Sequence, residues 1–314
     1  MAGKERTLTP EEFAKIIRVA GSLASYSGEG VRYRLPGVVE IDVDSFNELY
    51  VIGDLHGDLP SLKLLLDTSG LLEKLGKRVK AVFLGDYVDR GAHQINLLAY
   101  LLELKIKHPG DVVLLRGNHE PPSWLTPYPH DFPYRVSQYF GSAKSREIMR
   151  LTYMLFERLP LAAVVEGEAV FLHGGPPFRT MSARSLEEVL LIGDPAYDDL
   201  DMESILWSDP IDEEIDLAES MRGAGFLYGF KVTDRFLKLT GAKFIVRGHE
   251  AVDGYKINHE GRVITIFSAP GPYELSSTGL MRLVKTNSGF KYELLKIGVS
   301  SRRIIDSFSF ESIK

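Results

Sequence analysis

Six short polar signatures carry the residues able to do chemistry, each directly after an apolar run: GDLHGD at 53–58, GDYVDRG at 85–91, RGNHE at 116–120, LHGG at 172–175, RGHE at 247–250 and SAP at 268–270. Within them Asp54, His56, Asp86, Asn118, His173 and His249 offer carboxylate, amide and imidazole donors, a set that suits manganese, iron or zinc. Taken singly, an aspartate in a strand-to-loop turn is an Asx cap. Six candidate ligands along one chain point instead to a metal site. A bridging carboxylate that holds two ions ~3.5–4 Å apart sets up a shared hydroxide nucleophile at neutral pH while the ions neutralise phosphoryl oxygens. Asp86 is the candidate bridge, with Asp54 and His56 serving one ion and Asn118, His173 and His249 the other. The chemistry is hydrolysis of a phosphoester.

His119 adjoins Asn118 and can face a leaving group without itself being a ligand. That place suits a general acid protonating an alkoxide, a role worth ~10²–10⁴-fold in rate. Asp89, three residues past the proposed bridge, would hold the His119 tautomer and raise its pKa. Arg90 follows with a planar fork for phosphate oxygens. Arg222, ahead of a glycine-rich stretch, completes the clamp on the substrate, to which Asn118 also contributes. His93, His108, His130 and His259 fall outside the motifs and are read as surface histidines.

The elements that must position these residues follow from periodicity. Thr9-Pro10-Glu11-Glu12 supplies a cap, a first-turn proline and an acidic first turn, ahead of Phe13, Ile16, Ile17, Ala20 and Leu23 at helical spacing. An amphipathic helix covering one side of the core is expected there. Strands over 49–52, 81–84 and 112–115 alternate with helices opening at Leu59 and spanning Ile95 to Leu104. That alternation implies a parallel sheet with its loops gathered at one edge. Later, 162–165 with 169–172, 255–257 with 263–267, and 281–285 with 290–295 flank turn residues and read as hairpins. The expected architecture is α/β, a two-sheet mixed β-sandwich flanked by helices, in which a mainly parallel sheet faces a more antiparallel one. Because candidate ligands run from residue 54 to residue 249, residues 1–314 are read as a single catalytic domain, with 1–48 a helical or irregular extension packed on it.

Composition narrows the class. A 44% apolar and 25% charged chain is ordinary globular protein, and a net charge of −6 argues against nucleic acid as the main ligand. Cysteine is absent, which removes thiolate metal sites and the cysteine-nucleophile phosphatase mechanism. The N-terminus has no signal-peptide apolar core and no apolar stretch approaches the ~20 residues of a membrane helix, so a cytoplasmic protein without membrane attachment is expected. The acidic run between Asp194 and Glu219, including Asp198, is read as a solvated loop, and Pro121–Tyr134 as a surface loop or the rim of a substrate groove.

GDLHG, GDYVDRG, RGNHE, HGG, LWSDP at 206–210, RGAGFLYG at 222–229, RGHE and FSAP together resemble the phosphoprotein phosphatase family of metal-dependent serine/threonine phosphatases, within the calcineurin-like metallophosphoesterase superfamily. The resemblance covers roughly residues 50 to 280 and keeps that family's motif order. It implies an α/β/β/α sandwich, two-metal ligands, an acid histidine with its aspartate, phosphate-binding arginines, and one-step hydrolysis of phosphoserine and phosphothreonine proteins. The family's usual SAPNY is here Ser268-Ala269-Pro270-Gly271-Pro272-Tyr273, in a loop one residue shorter, so Tyr273 is the candidate for the family's tyrosine over the site. Manganese is the expected metal in vitro, with iron and zinc open. Regulatory subunits are not named by the sequence. The alternatives are a dinucleoside polyphosphate hydrolase or phosphodiesterase of the same superfamily and, disfavoured by the complete set of candidate residues, a metal-binding scaffold without catalysis.

Overall fold

The computed structural model describes residues 6–35, 37–190 and 199–311. The Thr9 hydroxyl accepts from the Glu12 N–H, and the Glu12 carboxylate accepts from the Thr9 N–H. This reciprocal cap starts the helix Pro10–Ser22. Its Phe13, Ile16, Ile17 and Ala20 are buried against the helices Gln94–Lys107 and Ser142–Phe156, so it does cover one side of the core.

Two sheets stack between layers of helices. The first has the spatial order Arg303–Glu311, Gly289–Gly298, Ser277–Thr286, Glu48–Ile52, Val79–Phe83, Val112–Leu114. Its last three strands run parallel, and the others pair antiparallel. The second has the order Val31–Leu35, Val38–Ile41, Ala162–Val165, Ala169–Leu172, Phe244–Arg247, Val263–Ile266, Tyr255–Asn258, with parallel and antiparallel pairings interleaved. A small third sheet joins Asp209–Pro210, Phe226–Tyr228 and Leu217–Glu219.

The expected contrast between a mainly parallel sheet and a more antiparallel one is therefore corrected: both are mixed. The long C-terminal hairpin pairs onto Glu48–Ile52 and extends the parallel strands of the first half. In the second sheet the first two hairpins pair in parallel with each other, and Phe244–Arg247 pairs in parallel with Ala169–Leu172 on one side and Val263–Ile266 on the other. Residues 1–48 are also more than a helical or irregular extension, because Val38–Glu40 pair in parallel with Ala162–Val164 and bring a hairpin into the sheet.

The central strands read as continuous apolar runs because both faces are covered. Leu49, Val51, Val82 and Val113 point inward against Ala163, Phe171, Val246 and Ile264 of the other sheet. Their neighbours Tyr50, Ile52, Ala81 and Phe83 point outward against the helices. Each buried Val, Leu, Ile or Phe side chain contributes roughly 1.5–3 kcal/mol relative to exposure. Val170, Leu172 and Ile245 pack outward under the helix Phe230–Thr240. Among the described residues no helix is long and apolar enough to cross a membrane.

The sheets meet at the site. A Cβ on Gly53 would lie 1.9 Å from the Ile266 carbonyl oxygen, so only glycine allows that approach. Beyond it Asp54 bridges in parallel to Phe267. The Gly53 N–H donates to Ser268 Oγ at 3.0 Å, and that hydroxyl donates to the Gly279 carbonyl at 2.7 Å. The serine of the SAP signature thus stitches the seam between the sheets.

Candidate active site

Asp54, Asp86, Asn118, His173 and His249 all lie just past the carboxyl ends of strands, the edge where open α/β sheets carry their sites. The loops there are tightly bent. His56, Asp86, Asp89, Arg90 and His249 have φ between 40° and 72°, a region that costs non-glycine residues of order 1–3 kcal/mol each and persists only where surroundings over-determine it. The surroundings are hydrogen bonds. The Leu55 and His56 N–H groups donate to the Asp86 carbonyl at 3.0 and 2.8 Å. The Asp86, Tyr87 and Gly117 N–H groups donate to the Glu120 carboxylate at 2.8, 2.8 and 3.0 Å. Burial and the neighbouring Asp86 push the Glu120 carboxyl up to about 7, against the pull of these N–H donors. Glu120 was missed in the sequence; its signal was a charged residue inside RGNHE, where a buried carboxylate must find donors.

The six candidate ligands are all buried, and their lone pairs converge. Asp86 directs Oδ2 to within 3.4 Å of His56 Nε2 and Oδ1 to within 3.4 Å of His173 Nε2, the central place expected of a bridge. Asn118 Oδ1 lies 2.9 Å from His173 Nε2 and 3.0 Å from His249 Nδ1. Asp54 Oδ2 lies 3.9 Å from His56 Nε2 and has no hydrogen-bond partner, although it is buried. The opposite ring nitrogens face backbone carbonyls: His56 Nδ1 that of Val88, His173 Nδ1 that of Leu84, His249 Nε2 that of Trp207. Donation to those carbonyls directs the other nitrogen of each ring inward as an acceptor.

As oriented, Asn118 Oδ1 faces only acceptors, and turning the amide over would let its nitrogen donate to them. A cation held by these residues would satisfy the Asn118 amide as it stands and the orphaned Asp54 oxygen. The donor set fits a divalent ion. Electrostatics agree. Burial and Asp86 push the Asp54 carboxyl up to about 6. Burial brings His56 down to about 4. Burial opposes charge on His173, yet Asp86, then Asp54, push its pKa up to about 9, so the carboxylates favour positive charge at this point of the pocket.

At the rim, His119 Nδ1 lies 2.5 Å from Asp89 Oδ2, as the motif spacing suggested, and the His119 N–H donates to Asp86 Oδ1 at 2.9 Å. Burial opposes protonation of His119, but Asp86 and then Asp89 outweigh it and raise its pKa. The ring stands edge-on to His56 with centroids 4.8 Å apart. Tyr273 also reaches the site, its ring 5.7 Å from His56. Burial, with Asp54 and Asp86, pushes its hydroxyl up to about 12 while Arg90 opposes. The Arg90 N–H donates to Asp131 Oδ1 at 3.1 Å. Arg222 approaches from the side of His249 and is tethered through Nε to Asp209 Oδ2 at 2.5 Å; Asp209 also accepts from the wholly buried Arg247 at 2.8 Å.

Several expectations need correction. His130 is not a surface histidine: its side chain is 7% exposed and its Nδ1 lies 2.7 Å from Asp89 Oδ2. His259 is buried between Thr233 and the Ile211 carbonyl. Part of the acidic run is structural, since Asp201 pairs with Arg179, Glu203 caps the Gly225 N–H and Asp212 accepts from His259; Asp194 and Asp198 lie outside the described residues. The 121–134 loop does expose Trp124, Tyr128 and Tyr134, yet its last residues hold the Asp89–Arg90 turn.

Residues 48–253 match the family described as calcineurin-like phosphoesterase. The chain is 34% identical over 222 residues to the serine/threonine-protein phosphatase 4 catalytic subunit of Kluyveromyces lactis, covering 70% of this chain and 68% of that one. It is 35% identical over 277 residues to a protein of Encephalitozoon cuniculi named "Probable serine/threonine-protein phosphatase", where the match covers 88% of this chain and 58% of that relative's length. Among solved structures, a protein serine/threonine phosphatase of Saccharomyces cerevisiae, described as similar to human phosphatase PP5, superposes with a TM-score of 0.73 at 27% identity, over 98% of this chain and 91% of that one.

Proposed function

The chain belongs to the calcineurin-like phosphoesterase family, and on that premise we propose that it is a serine/threonine protein phosphatase that hydrolyses phosphoserine and phosphothreonine monoesters in one step. The observation that carries the reading is the convergence of Asp54, His56, Asp86, Asn118, His173 and His249, with the His119–Asp89 pair at the rim. Two divalent ions held by those residues would activate a water as nucleophile and neutralise charge on the phosphoryl group. Manganese is proposed as the ion for assay, and the same donors accept iron or zinc.

The chain's own residues do the rest. Arg90 and Arg222 would grip the phosphoryl oxygens, and Asn118 and Tyr273 would orient them. Asp89 accepts the Nδ1–H of His119, so the proton His119 can give is on Nε2. As the P–O bond breaks, that proton passes to the departing serine or threonine oxygen. The names of the relatives favour a phosphoprotein over a nucleotide substrate. Partner subunits are part of the proposal, since the Kluyveromyces relative is named a catalytic subunit.

The test sets a phosphoserine/phosphothreonine peptide beside a phosphodiester and a dinucleoside tetraphosphate, each with the manganese-loaded protein. Phosphate release from the peptide alone is expected. Turnover of the bis-esters alone would keep the phosphoesterase and overturn the substrate class.

A further inference from the structure

Asp89 serves two imidazoles, and the motifs account for one. Its Oδ2 lies 2.5 Å from His119 Nδ1 and 2.7 Å from His130 Nδ1, while Oδ1 accepts from the Phe132 N–H at 2.8 Å. Burial opposes ionisation of this carboxyl, but the hydrogen bonds from His119 and His130 hold it well below the usual carboxylate range. A carboxylate only accepts, so both Nδ1 atoms carry hydrogen. In the neutral ring the far nitrogen of His130 is then an acceptor, and it lies 3.2 Å from the Tyr153 hydroxyl on the helix Ser142–Phe156. A chain of donors runs from Tyr153 through His130 to Asp89 and ends opposite His119.

The flanking residues close over the same turn. Asp131 Oδ1 accepts from the Arg90 N–H at 3.1 Å and from Gln94 Nε2 at 3.1 Å, and Gln94 Oε1 accepts from the Asp89 N–H at 3.0 Å. Residues 130–132 thus hold both the carboxylate and the backbone of Asp89.

We infer that His130 is a positioning residue for the proton donor His119, acting through Asp89. The inference rests on the reading of His119 as general acid. Held by the Phe132 N–H on Oδ1 and by His119 alone on Oδ2, the Asp89 carboxylate can still swing about the Oδ1 anchor and carry the His119 ring with it. A second N–H, braced by Tyr153, fixes that oxygen, and with it the direction of the His119 Nε2–H. Outer-shell hydrogen bonds of this kind orient functional imidazoles in metal sites.

The test uses the whole manganese-loaded chain on a phosphoserine peptide and on aryl phosphates graded from phenyl to p-nitrophenyl, whose leaving group scarcely needs a proton. His130→Leu removes the donor and is expected to lower kcat on the peptide about 10- to 100-fold, a part of what a general acid supplies. On p-nitrophenyl phosphate it should lower kcat less than about twofold, with KM little changed. His130→Gln keeps an N–H donor and should recover most of the loss. Equal slowing across the series, or equal behaviour of Leu and Gln, would overturn the inference. His119→Asn is the control: a leaving-group pattern there without one in His130→Leu would sink the role of His130 alone, whereas equal losses in His119→Asn would remove the general acid and the inference with it. A readout independent of turnover and of variant folding is the tautomer in metal-free wild-type protein labelled with ¹⁵N-histidine. Nδ1–H on both His119 and His130 is expected, and Nε2–H alone on His130 would contradict it.

Discussion

His173 shows at the scale of one residue why this pocket asks for cations. Its imidazole is fully buried, which disfavours charge, yet Asp86 and Asp54 push it to about 9. A pKa raised above the unfolded value of ~6.5 stabilises the fold in full below that pH and stops doing so as pH rises through the folded value. Metal-free protein should therefore lose stability between about pH 6.5 and 9, on the order of 3 kcal/mol from this residue. Thermal melts across that range should show the loss, and His173→Gln should flatten it; an unchanged slope would show that His173 is not held charged. The grouping of the proposed ligands was legible because six residues of metal-binding type each follow an apolar run, a coincidence that isolated Asx caps do not produce. Tyr273 was proposed through the family resemblance rather than from its own surroundings. His130 and Glu120 were not found, because their roles arise from partners about thirty to forty residues away in the chain, and nothing in the local spacing of His130 differs from that of a surface histidine.

At the scale of elements, the strands that end at the site were readable from their apolar runs, with boundaries within two residues at 49–52, 81–84 and 112–115. The hairpin Val31–Leu35/Val38–Ile41 was not read, although Arg32 and Arg34 alternate with Val31 and Tyr33 as a half-buried edge strand does. The strand Arg303–Glu311 was missed as well; it is largely exposed at the edge of its sheet. Sheet composition could not be read either, because pairing partners far apart in sequence decide whether a strand is parallel or antiparallel to its neighbours. The loops are fixed by close approaches as much as by hydrogen bonds. A Cβ on Gly117 would lie 2.3 Å from Asp86 Oδ1 and 2.4 Å from the Asp86 backbone nitrogen. Gly117→Ala must shift the turn that carries Asp86, and a displacement near 1 Å is enough for a ~10²-fold loss of turnover. The expected result is a loss of at least tenfold in kcat together with weaker manganese binding by calorimetry; a variant with wild-type affinity and rate would show that the two loops have room to spare.

For the molecule as a whole, two mixed sheets pressed face to face place loops from residues 54 to 249 at one seam, where Gly53 passes against Ile266 and Ser268 joins the strands. The helices and the apolar layer between the sheets serve that convergence, and the six proposed ligands draw on both sheets. It follows that each proposed ion should stabilise the native chain by mass action. The central claim is that two ions act in one pocket, and activity measured against bound metal tests it most directly. Metal-stripped protein is titrated with manganese, bound ion is measured by elemental analysis, and phosphate release from a phosphoserine peptide is followed at each point. Negligible release is expected without metal, and full turnover only as occupancy reaches two ions per chain. Full turnover at one ion per chain, or turnover that persists with none bound, would contradict it.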